Sequence, residues 1–407
     1  MIYLLVGYMW LFIHRPFEIW PWLGALHIER VYVLATLIYW ALCVPKSWTR
    51  NRITWGIGFL ASAITLATFF SRYTDFNSQA VQNWFKILVF YFLVMSSVRE
   101  ERELRILIVA FIVIMGLLEL HSFREYLCGR GESRMGIWRM NGVDNSDPNS
   151  FAGSVNYGIP MLLPALALVR KKWHYLALAV AVALACLCVL LTGSRTGFAC
   201  IVLLAGSAAL LSRYRWRLTL LVFLGAPLIW FSLSVSLQNR YMTLIDPSVG
   251  PRNAQASAED RQIFFWQAVD IWKNNPIFGI GPGCFRIANE TGMQPHNLYA
   301  QTMSELGTFG VISLVTMILC YLMNYFEARR VYLAIPPSHD AVFCYRVIVA
   351  TAIALLQLLF FGLGGHNLYR YNWIWYAAFA ALALRFLNYH YNNCTEEACQ
   401  VAPTVAE

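Results

Sequence analysis

The segment 191–197, with the sequence LTGSRTG, could bind an anion through Arg195. Apolar runs flank it on both sides, so we predict a tight turn at the edge of the membrane hydrocarbon, where a charged side chain is costly and usually functional. Turns rich in glycine and hydroxyl residues are typical of anion-binding sites. An arginine that extends to lipid headgroups would fit the same pattern, and the residue type leaves both interpretations open.

A second candidate for anion binding is Arg261. We predict a helix that opens with Ser257 and Asp260 as a capping box, which puts Arg261 in its first turn. Free backbone N–H groups and the helix dipole favour an anion there. Two arginines aimed at one space could bind a diphosphate bidentately, but a surface salt bridge with Glu259 or Asp260 would explain Arg261 equally well.

His296 is the candidate for proton transfer. It follows Pro295 at the predicted start of a helix, where the dipole disfavours the imidazolium and keeps a neutral imidazole that accepts a proton. A general base needs this property. The alternative is a structural histidine or one that contacts lipid headgroups.

Other polar residues near these candidates, or within apolar runs, are secondary candidates. Charges inside a membrane span are functional hypotheses by default, with helix pairing or extension to headgroups as the alternatives. The secondary candidates are Lys86, Glu119, Arg139, Asp147, Asn149, Asn297, His366 and Asn367.

Apolar runs must form the framework that positions these side chains. Of 407 residues, 58% are hydrophobic and 13% are charged, which favours a membrane protein over a soluble domain. A helix that crosses the hydrocarbon core needs about 20 apolar residues. About twelve runs approach this length, near residues 1–14, 28–45, 53–70, 81–98, 104–121, 151–169, 174–192, 196–212, 218–236, 307–326, 344–363 and 372–387.

The sequence therefore predicts an all-α, polytopic transmembrane helical bundle. We expect a single membrane domain over residues 1–387, followed by a polar tail, 388–407, that is disordered. The net charge of +9 could suggest a nucleic-acid partner, but the basic residues lie in small clusters between apolar runs, as membrane topology requires. Membrane lipids are the expected surroundings, and no nucleic acid is expected.

The basic clusters also predict an orientation. They occupy alternate connections, so the positive-inside rule puts both termini in the cytoplasm. The long connections 122–150 and 237–306 then lie on the outer, periplasmic side. The second of these should be a large, partly helical outer loop that carries the working face.

We predict no cofactor and no metal site. The glycines at 279, 281 and 283 follow no predicted strand, which argues against a nucleotide-binding turn, and metalloprotease and ATPase motifs are absent from the sequence. His390, Cys394 and Cys399 are too few for a zinc site. Cys128 and Cys284 share the outer side, so a disulfide between them is conceivable, although free thiols fit two lone cysteines better.

Four motifs, in order, resemble those of the O-antigen ligase and polymerase superfamily. They are RMNG at 139–142 with DPNSFA at 147–152, SRTG at 194–197, Arg261 with Trp266 before NPIFGIGPGCF at 275–285, and PHNLY at 295–299 continuing to ELG at 305–307. The resemblance extends from about residue 135 to residue 326. The first 120 residues match only as apolar spans.

The resemblance implies a bacterial inner-membrane glycosyltransferase that moves a glycan from an undecaprenyl-diphosphate carrier to an acceptor hydroxyl on the outer leaflet. Members of the superfamily use neither a metal nor a nucleotide sugar. Carried over to this sequence, their roles imply that Arg195 and Arg261 bind the donor diphosphate and that His296 activates the acceptor, with inversion at the anomeric carbon.

The acceptor stays open at this point. It could be lipid A-core, a growing polysaccharide or a protein, so ligase, polymerase and protein-glycosylating enzyme all fit. A transporter or lipid carrier is the main alternative, but only Lys86 and Glu119 lie at the depth of a transport path. A scaffold with basic loops that bind anionic lipid is a further alternative.

Overall fold

The protein is described here from a computed structural model, which covers residues 1–134, 136–144, 146–211, 215–246, 252–289 and 291–401. The architecture is helical, as predicted. The helices of the first 130 residues are α1 (Ile2–Ile13), α2 (Pro16–Ile19), α3 (Pro21–Ala25), α4 (Ile28–Cys43), α5 (Arg52–Phe69), α6 (Thr74–Ser97) and α7 (Glu101–Leu127).

A short hairpin separates this group from the remaining helices. Strand β1 (Glu132–Arg134) pairs antiparallel with β2 (Ile137–Arg139) inside the first predicted outer loop. Gly136, at a φ of 76°, lies in the connection, a conformation that glycine adopts without strain. The sequence analysis predicted no strand, because three residues are too few for an alternating pattern to be visible.

The remaining helices follow the hairpin. They are α8 (Pro148–Gly158), α9 (Lys172–Leu191), α10 (Arg195–Leu211), α11 (Arg215–Ser232), α12 (Val235–Met242), α13 (Arg252–Asn274), α14 (Phe285–Ala288), α15 (Leu298–Leu333), α16 (His339–Phe361) and α17 (Asn372–Val401).

Six of these helices have candidate spans, long and apolar enough to cross a membrane. The segments are Arg52–Phe69, Ala80–Ser97, Glu101–Leu127, Lys172–Leu191, Leu298–Leu333 and His339–Phe361. Shorter apolar helical segments occur at Ile2–Ile13, Arg195–Ala208 and Phe223–Ser232. A multi-span helical membrane protein is therefore confirmed, while the number twelve and the periplasmic position of the large loop stay predictions.

The run predicted near 151–169 is not one continuous α-helix. After α8, the chain continues in 3₁₀ turns at Ile159–Leu162 and Pro164–Ala167. Pro160 and Pro164 explain the change, because each lacks the N–H that an α-helix needs and crowds the preceding turn.

Helix α17 lies at the centre of the bundle. The side chains from Trp373 to Leu384 are all buried, and α15, α16, α6 and α7 pack around them. The predicted tail from residue 388 begins within this helix, which continues to Val401, and residues 402–407 lie outside the described part.

The glycine-rich stretch docks its backbone on a break in α15. Gly307 has φ 65° and ψ −164°, and the N–H groups of Ile280 and Gly281 donate to the carbonyls of Ser304 and Glu305. A Cβ on Gly307 would lie 2.4 Å from the carbonyl oxygen of Ile277. Glycine here serves close backbone packing.

Two predicted helix starts were wrong. Helix α13 begins at Arg252 rather than at Ser257, since the intervening residues include two alanines that favour a helix. Helix α15 begins at Leu298 rather than at Pro295. Asn297 is its N-cap, because the side-chain oxygen of Asn297 accepts from the N–H groups of residues 299 and 300.

Candidate functional site

His296 and His366 form a pair although 70 positions separate them in the chain. Their Nδ1 atoms are 3.3 Å apart, and the two rings meet edge to face with centroids 5.0 Å apart. One ring must donate and the other accept, so the pair fixes the tautomer of each histidine. Two imidazoles in direct contact can hold a proton acceptor in a defined orientation.

The backbone at the start of α15 holds this pair in place. His296 has a φ of 45°, in the left-handed region that side chains other than glycine and asparagine rarely adopt. The N–H of Leu298 donates to the carbonyl of Gly362 at 2.7 Å, and the side chain of Asn297 donates to the carbonyl of Leu363 at 3.3 Å. These bonds tie His296 to the 362–371 connection, which carries His366.

A small cavity adjoins the histidine pair and is lined largely by polar groups. Asp147 and Asn149, at the start of α8, face it together with Tyr157 and Arg370. Asp147 caps α8 by accepting from the N–H groups of residues 149 and 150. Arg370 donates to the hydroxyl of Ser154 at 3.1 Å. The motif at 147–152 and the 362–371 connection therefore meet at the two histidines.

Gly364 links this cavity to the two arginines predicted to bind an anion. It lines the cavity with His296, and a Cβ on it would lie 2.6 Å from Oγ1 of Thr196 and 3.5 Å from a terminal nitrogen of Arg261. Thr196 follows Arg195, the first residue of α10. The structure thus brings together segments that lie up to 170 residues apart.

Arg261 is a largely buried cation without a complete set of partners. It lies in the interior of α13, so the proposed help from the helix dipole does not apply to it. Its Nε is buried and meets no hydrogen-bond acceptor in the part of the chain that the structure describes. Burial lowers the pKa of Arg261, and the positive charge of Arg195 lowers it further. The guanidinium stays charged, so the site favours an anion.

Arg195 directly follows a turn that two other arginines stabilise through hydrogen bonds. Its guanidinium donates to Oγ1 of Thr243 at 3.2 Å. Arg139 donates to the carbonyl of Thr192 at 2.6 Å and to the side-chain oxygen of Asn149 at 3.0 Å, and Arg240 donates to the carbonyl of Gly193 at 2.6 Å. Arg139 and Asn149 therefore act as supports for the turn that presents Arg195.

The surroundings of His366 keep its imidazole neutral. Burial lowers the pKa of His366 to about 3, and the nearby His296 and Arg370 act in the same direction, while Asp147 opposes them. At neutral pH, His366 therefore carries no charge and can accept or donate one hydrogen bond through each ring nitrogen.

Two intramembrane charges have other surroundings. Lys86 pairs with Glu29 of α4 at 2.8 Å, and Glu119 is buried on α7. Neither lines the cavity beside the histidines. The ion pair of Lys86 with Glu29 therefore fits the structural alternative, in which an intramembrane charge pairs two helices.

Sequence reasoning missed Arg370 and Tyr157. Tyr157 is fully buried and accepts from the side chain of Asn367 at 2.9 Å, so it holds the loop that carries His366. Arg370 could have been noticed as a charge four residues after His366 in the last predicted outer connection. Nothing in the sequence singled out Tyr157, because a tyrosine within an apolar run is typical of a buried core residue.

Both cysteines considered for a disulfide are free thiols, as favoured from the sequence. Cys128 is exposed at the end of α7, whereas Cys284 is buried beside the glycine-rich stretch. Burial raises the pKa of Cys284 to about 11, which keeps the thiol protonated. Neither cysteine belongs to the site.

Residues 179–315 match the sequence model of the O-antigen ligase family. The predicted superfamily is confirmed. The match covers about a third of the chain and points to a glycosyltransferase- or ligase-like membrane enzyme of this general type in bacterial polysaccharide biosynthesis. The matched region contains Arg195, Arg261 and His296, while His366 and Arg139 lie outside it. The comparison with curated proteins found no match.

Proposed function

We propose that the protein transfers a glycan from an undecaprenyl-diphosphate carrier to an acceptor hydroxyl at the outer face of the bacterial inner membrane. The acceptor is lipid A-core, a growing polysaccharide or a protein hydroxyl. His296 is the catalytic base, and Arg195 and Arg261 bind the donor diphosphate. Arg139, Asn149 and Asn297 position these residues.

The observation that carries the proposal is the position of Gly364. This residue lines the cavity beside His296 and also lies against Thr196 and Arg261. A proton acceptor and two anion-binding segments therefore border one space. Transfer from a lipid diphosphate needs both functions, because a hydroxyl must lose a proton while a diphosphate leaves.

The reaction is a single displacement. The acceptor oxygen gives its proton to His296 and attacks the anomeric carbon of the glycan. The bond from that carbon to the diphosphate oxygen breaks, and undecaprenyl diphosphate leaves with the electron pair. Attack opposite to the leaving group inverts the anomeric configuration. The imidazolium of His296 then returns its proton to water.

His366 sets the tautomer that this step needs. Since His366 stays neutral, it can accept a hydrogen bond at Nδ1 from the Nδ1–H of His296. His296 then carries its basic lone pair on Nε2. His366 thus acts as a positioning residue, because a hydrogen-bonded partner can orient a catalytic base.

The arginines supply the charge that the leaving group requires. A guanidinium binds phosphate oxygens through paired N–H groups, and in a desolvated site this interaction strengthens as negative charge develops. Arg261 has a buried donor nitrogen without an acceptor, which a phosphate oxygen would satisfy. Fixed positive charge takes the place of a metal ion in this proposal.

Deletion of the gene tests the proposed donor. We expect the unprocessed glycan to accumulate on undecaprenyl diphosphate, as detected by mass spectrometry of extracted lipids. Re-expression of the wild type should clear it, whereas a His296→Asn variant at equal abundance should not. Normal levels of all lipid-linked glycans in the deletion strain would contradict the proposed donor.

A further inference from the structure

A second, larger cavity lies at the other end of the helices. It has a volume of about 890 Å³ and is bordered by the start of α5, the end of α6, the start of α7 and the C-terminal parts of α15 and α17. On the unbroken part of α15 after Gly307, Thr308 and Glu327 are separated by about 28 Å at 1.5 Å per residue, which is close to the thickness of the hydrocarbon core. This inner cavity therefore faces the opposite side of the membrane from His296.

Arginines dominate the charge of the inner cavity. Arg50, Arg52, Arg99 and Arg385 line it, as do three glutamates. Four cations around one space repel each other unless nearby acids or a bound anion compensate them.

The acids of the cavity are already engaged. Glu327 pairs with Arg52 at 3.1 Å. Glu101 pairs with Arg105 at 2.7 Å and lies 3.0 Å from His390. Glu100 serves as the N-cap of α7, where its side chain accepts a backbone N–H. A backbone N–H does not neutralise Glu100, so one carboxylate without an ion pair remains beside the other three arginines.

Arg50, Arg99 and Arg385 form no ion pair with an acidic side chain in the described part of the chain, and Glu103 interacts with Arg385 only at longer range. Arg385, half-buried, donates to the carbonyls of Val98 and Arg99 at 3.1 and 3.0 Å, and the side chain of Arg99 donates to the carbonyl of Pro45. Carbonyl oxygens hold guanidinium groups in place but do not neutralise them. Arg50 is exposed beside them.

We propose that the inner cavity binds a phosphate group, either on the headgroup of an anionic membrane lipid or on a soluble phosphate. Guanidinium groups match phosphate in geometry and charge. The basic connections predict that this end faces the cytoplasm, where anionic lipid headgroups are enriched. The inner site is independent of glycan transfer and would persist if the proposed transfer were wrong.

The test is native mass spectrometry of the purified full chain in detergent. The probe is a short-chain phosphatidylglycerol, with phosphatidylcholine as the lipid without net charge. We expect the wild type to retain one phosphatidylglycerol in preference to phosphatidylcholine. An Arg50→Gln/Arg99→Gln double variant should bind it at least about tenfold more weakly, since two charged contacts are lost.

Matched variants separate this site from general charge and from the outer site. Arg330→Gln removes an exposed charge at the same end outside the cavity and should bind like the wild type. An Arg195→Gln/Arg261→Gln variant should also bind like the wild type. The double variant is chosen over Arg385, whose bonds to two carbonyls support the fold.

Competition with inorganic phosphate distinguishes the two sources. If phosphate displaces the lipid, a soluble phosphate compound can occupy the site; if it does not, the lipid headgroup is the ligand. Either result supports the proposal. Equal retention of phosphatidylglycerol by the wild type and the Arg50→Gln/Arg99→Gln variant, or no preference over phosphatidylcholine, would overturn it.

Discussion

The two ends of the helical bundle both gather arginines, but they differ in the partner of the histidine beside them. At the end predicted to face outward, the cavity beside His296 and His366 includes Gly364, which lies against Thr196 and close to a terminal nitrogen of Arg261. At the inner end, the nearby His390 already lies against Glu101. The inner histidine is paired with a carboxylate, whereas the outer histidine is paired with a second imidazole, which suits a base beside a departing anion.

The ends also differ in how the backbone is shaped. Of the inner arginines, Arg50 and Arg99 lie in the connections before α5 and α7, and Arg385 lies within α17. The outer site depends on unusual backbone, with positive φ at Gly193, His296 and Gly307. Positive φ costs free energy at His296, which is not a glycine, and such a conformation persists where packing over-determines it, often at functional sites.

Removal of the outer arginines should have the largest effect. We expect Arg195→Ala and Arg261→Ala each to reduce glycan transfer by about 10²–10³-fold, because a fixed charge at the leaving group is lost. Initial rates in purified protein measure this. Arg286→Ala, at an exposed position beyond α13, should retain the wild-type rate. Wild-type transfer rates in both Arg195→Ala and Arg261→Ala would show that these arginines, like the inner ones, take no part in glycan transfer.

Gly307→Ala should damage the fold around the outer site. Its Cβ would lie 2.4 Å from a carbonyl oxygen at a φ of 65°, so we expect a loss of about 3 kcal/mol in stability, seen as a lower melting temperature. Gly116→Ala is the control, because a Cβ there meets nothing within 4 Å. Equal melting temperatures would show that the break in α15 is not needed.

His366→Gln should impair turnover more than binding. If His366 only orients His296, kcat should fall by roughly 10- to 100-fold while KM for the donor changes little. Steady-state kinetics separates the two quantities. A rise in KM with unchanged kcat would instead assign His366 to substrate binding.

The smallest expected effect concerns acid stability. The pKa of His366 is about 3 in the folded protein and 6.5 in the unfolded chain. Between these values the unfolded chain binds a proton that the folded protein does not, so stability falls as pH drops below 6.5. At pH 5 the loss is about 2 kcal/mol.

Melting curves at pH 7 and pH 5 measure this contribution. His366→Gln should lose less melting temperature on acidification than the wild type. His339→Gln, at an exposed histidine at the start of α16, should behave like the wild type. The same acid response in all three proteins would show that His366 is not held neutral by the fold.

Much of this framework could be predicted from sequence, because apolar runs of membrane length leave few alternatives to a helix. Some local details were not predicted. Two prolines convert part of one apolar run into 3₁₀ turns, and Asn297 rather than Pro295 marks the start of α15. These outcomes depend on which of several neighbouring residues satisfies the backbone.

The site could be predicted only in part. Motifs singled out Arg195, Arg261 and His296, since each has a distinctive neighbourhood in the sequence. The pairing of His296 with His366 depends on how α15 and the last connection pack, and no local pattern records a contact across 70 residues. Arg370 differs, because its charge close to His366 was a signal that could have been used.

The most direct test of the central claim is chemical rescue of a base-deficient variant. His296→Gly removes the imidazole but tolerates the φ of 45°, so it separates loss of the base from backbone strain. With purified protein and an undecaprenyl-diphosphate-linked glycan, transfer should fall by about 10²–10⁴-fold and recover partly when imidazole is added, following the neutral form as pH rises. Undiminished transfer by His296→Gly without imidazole would contradict the role of His296 as the base.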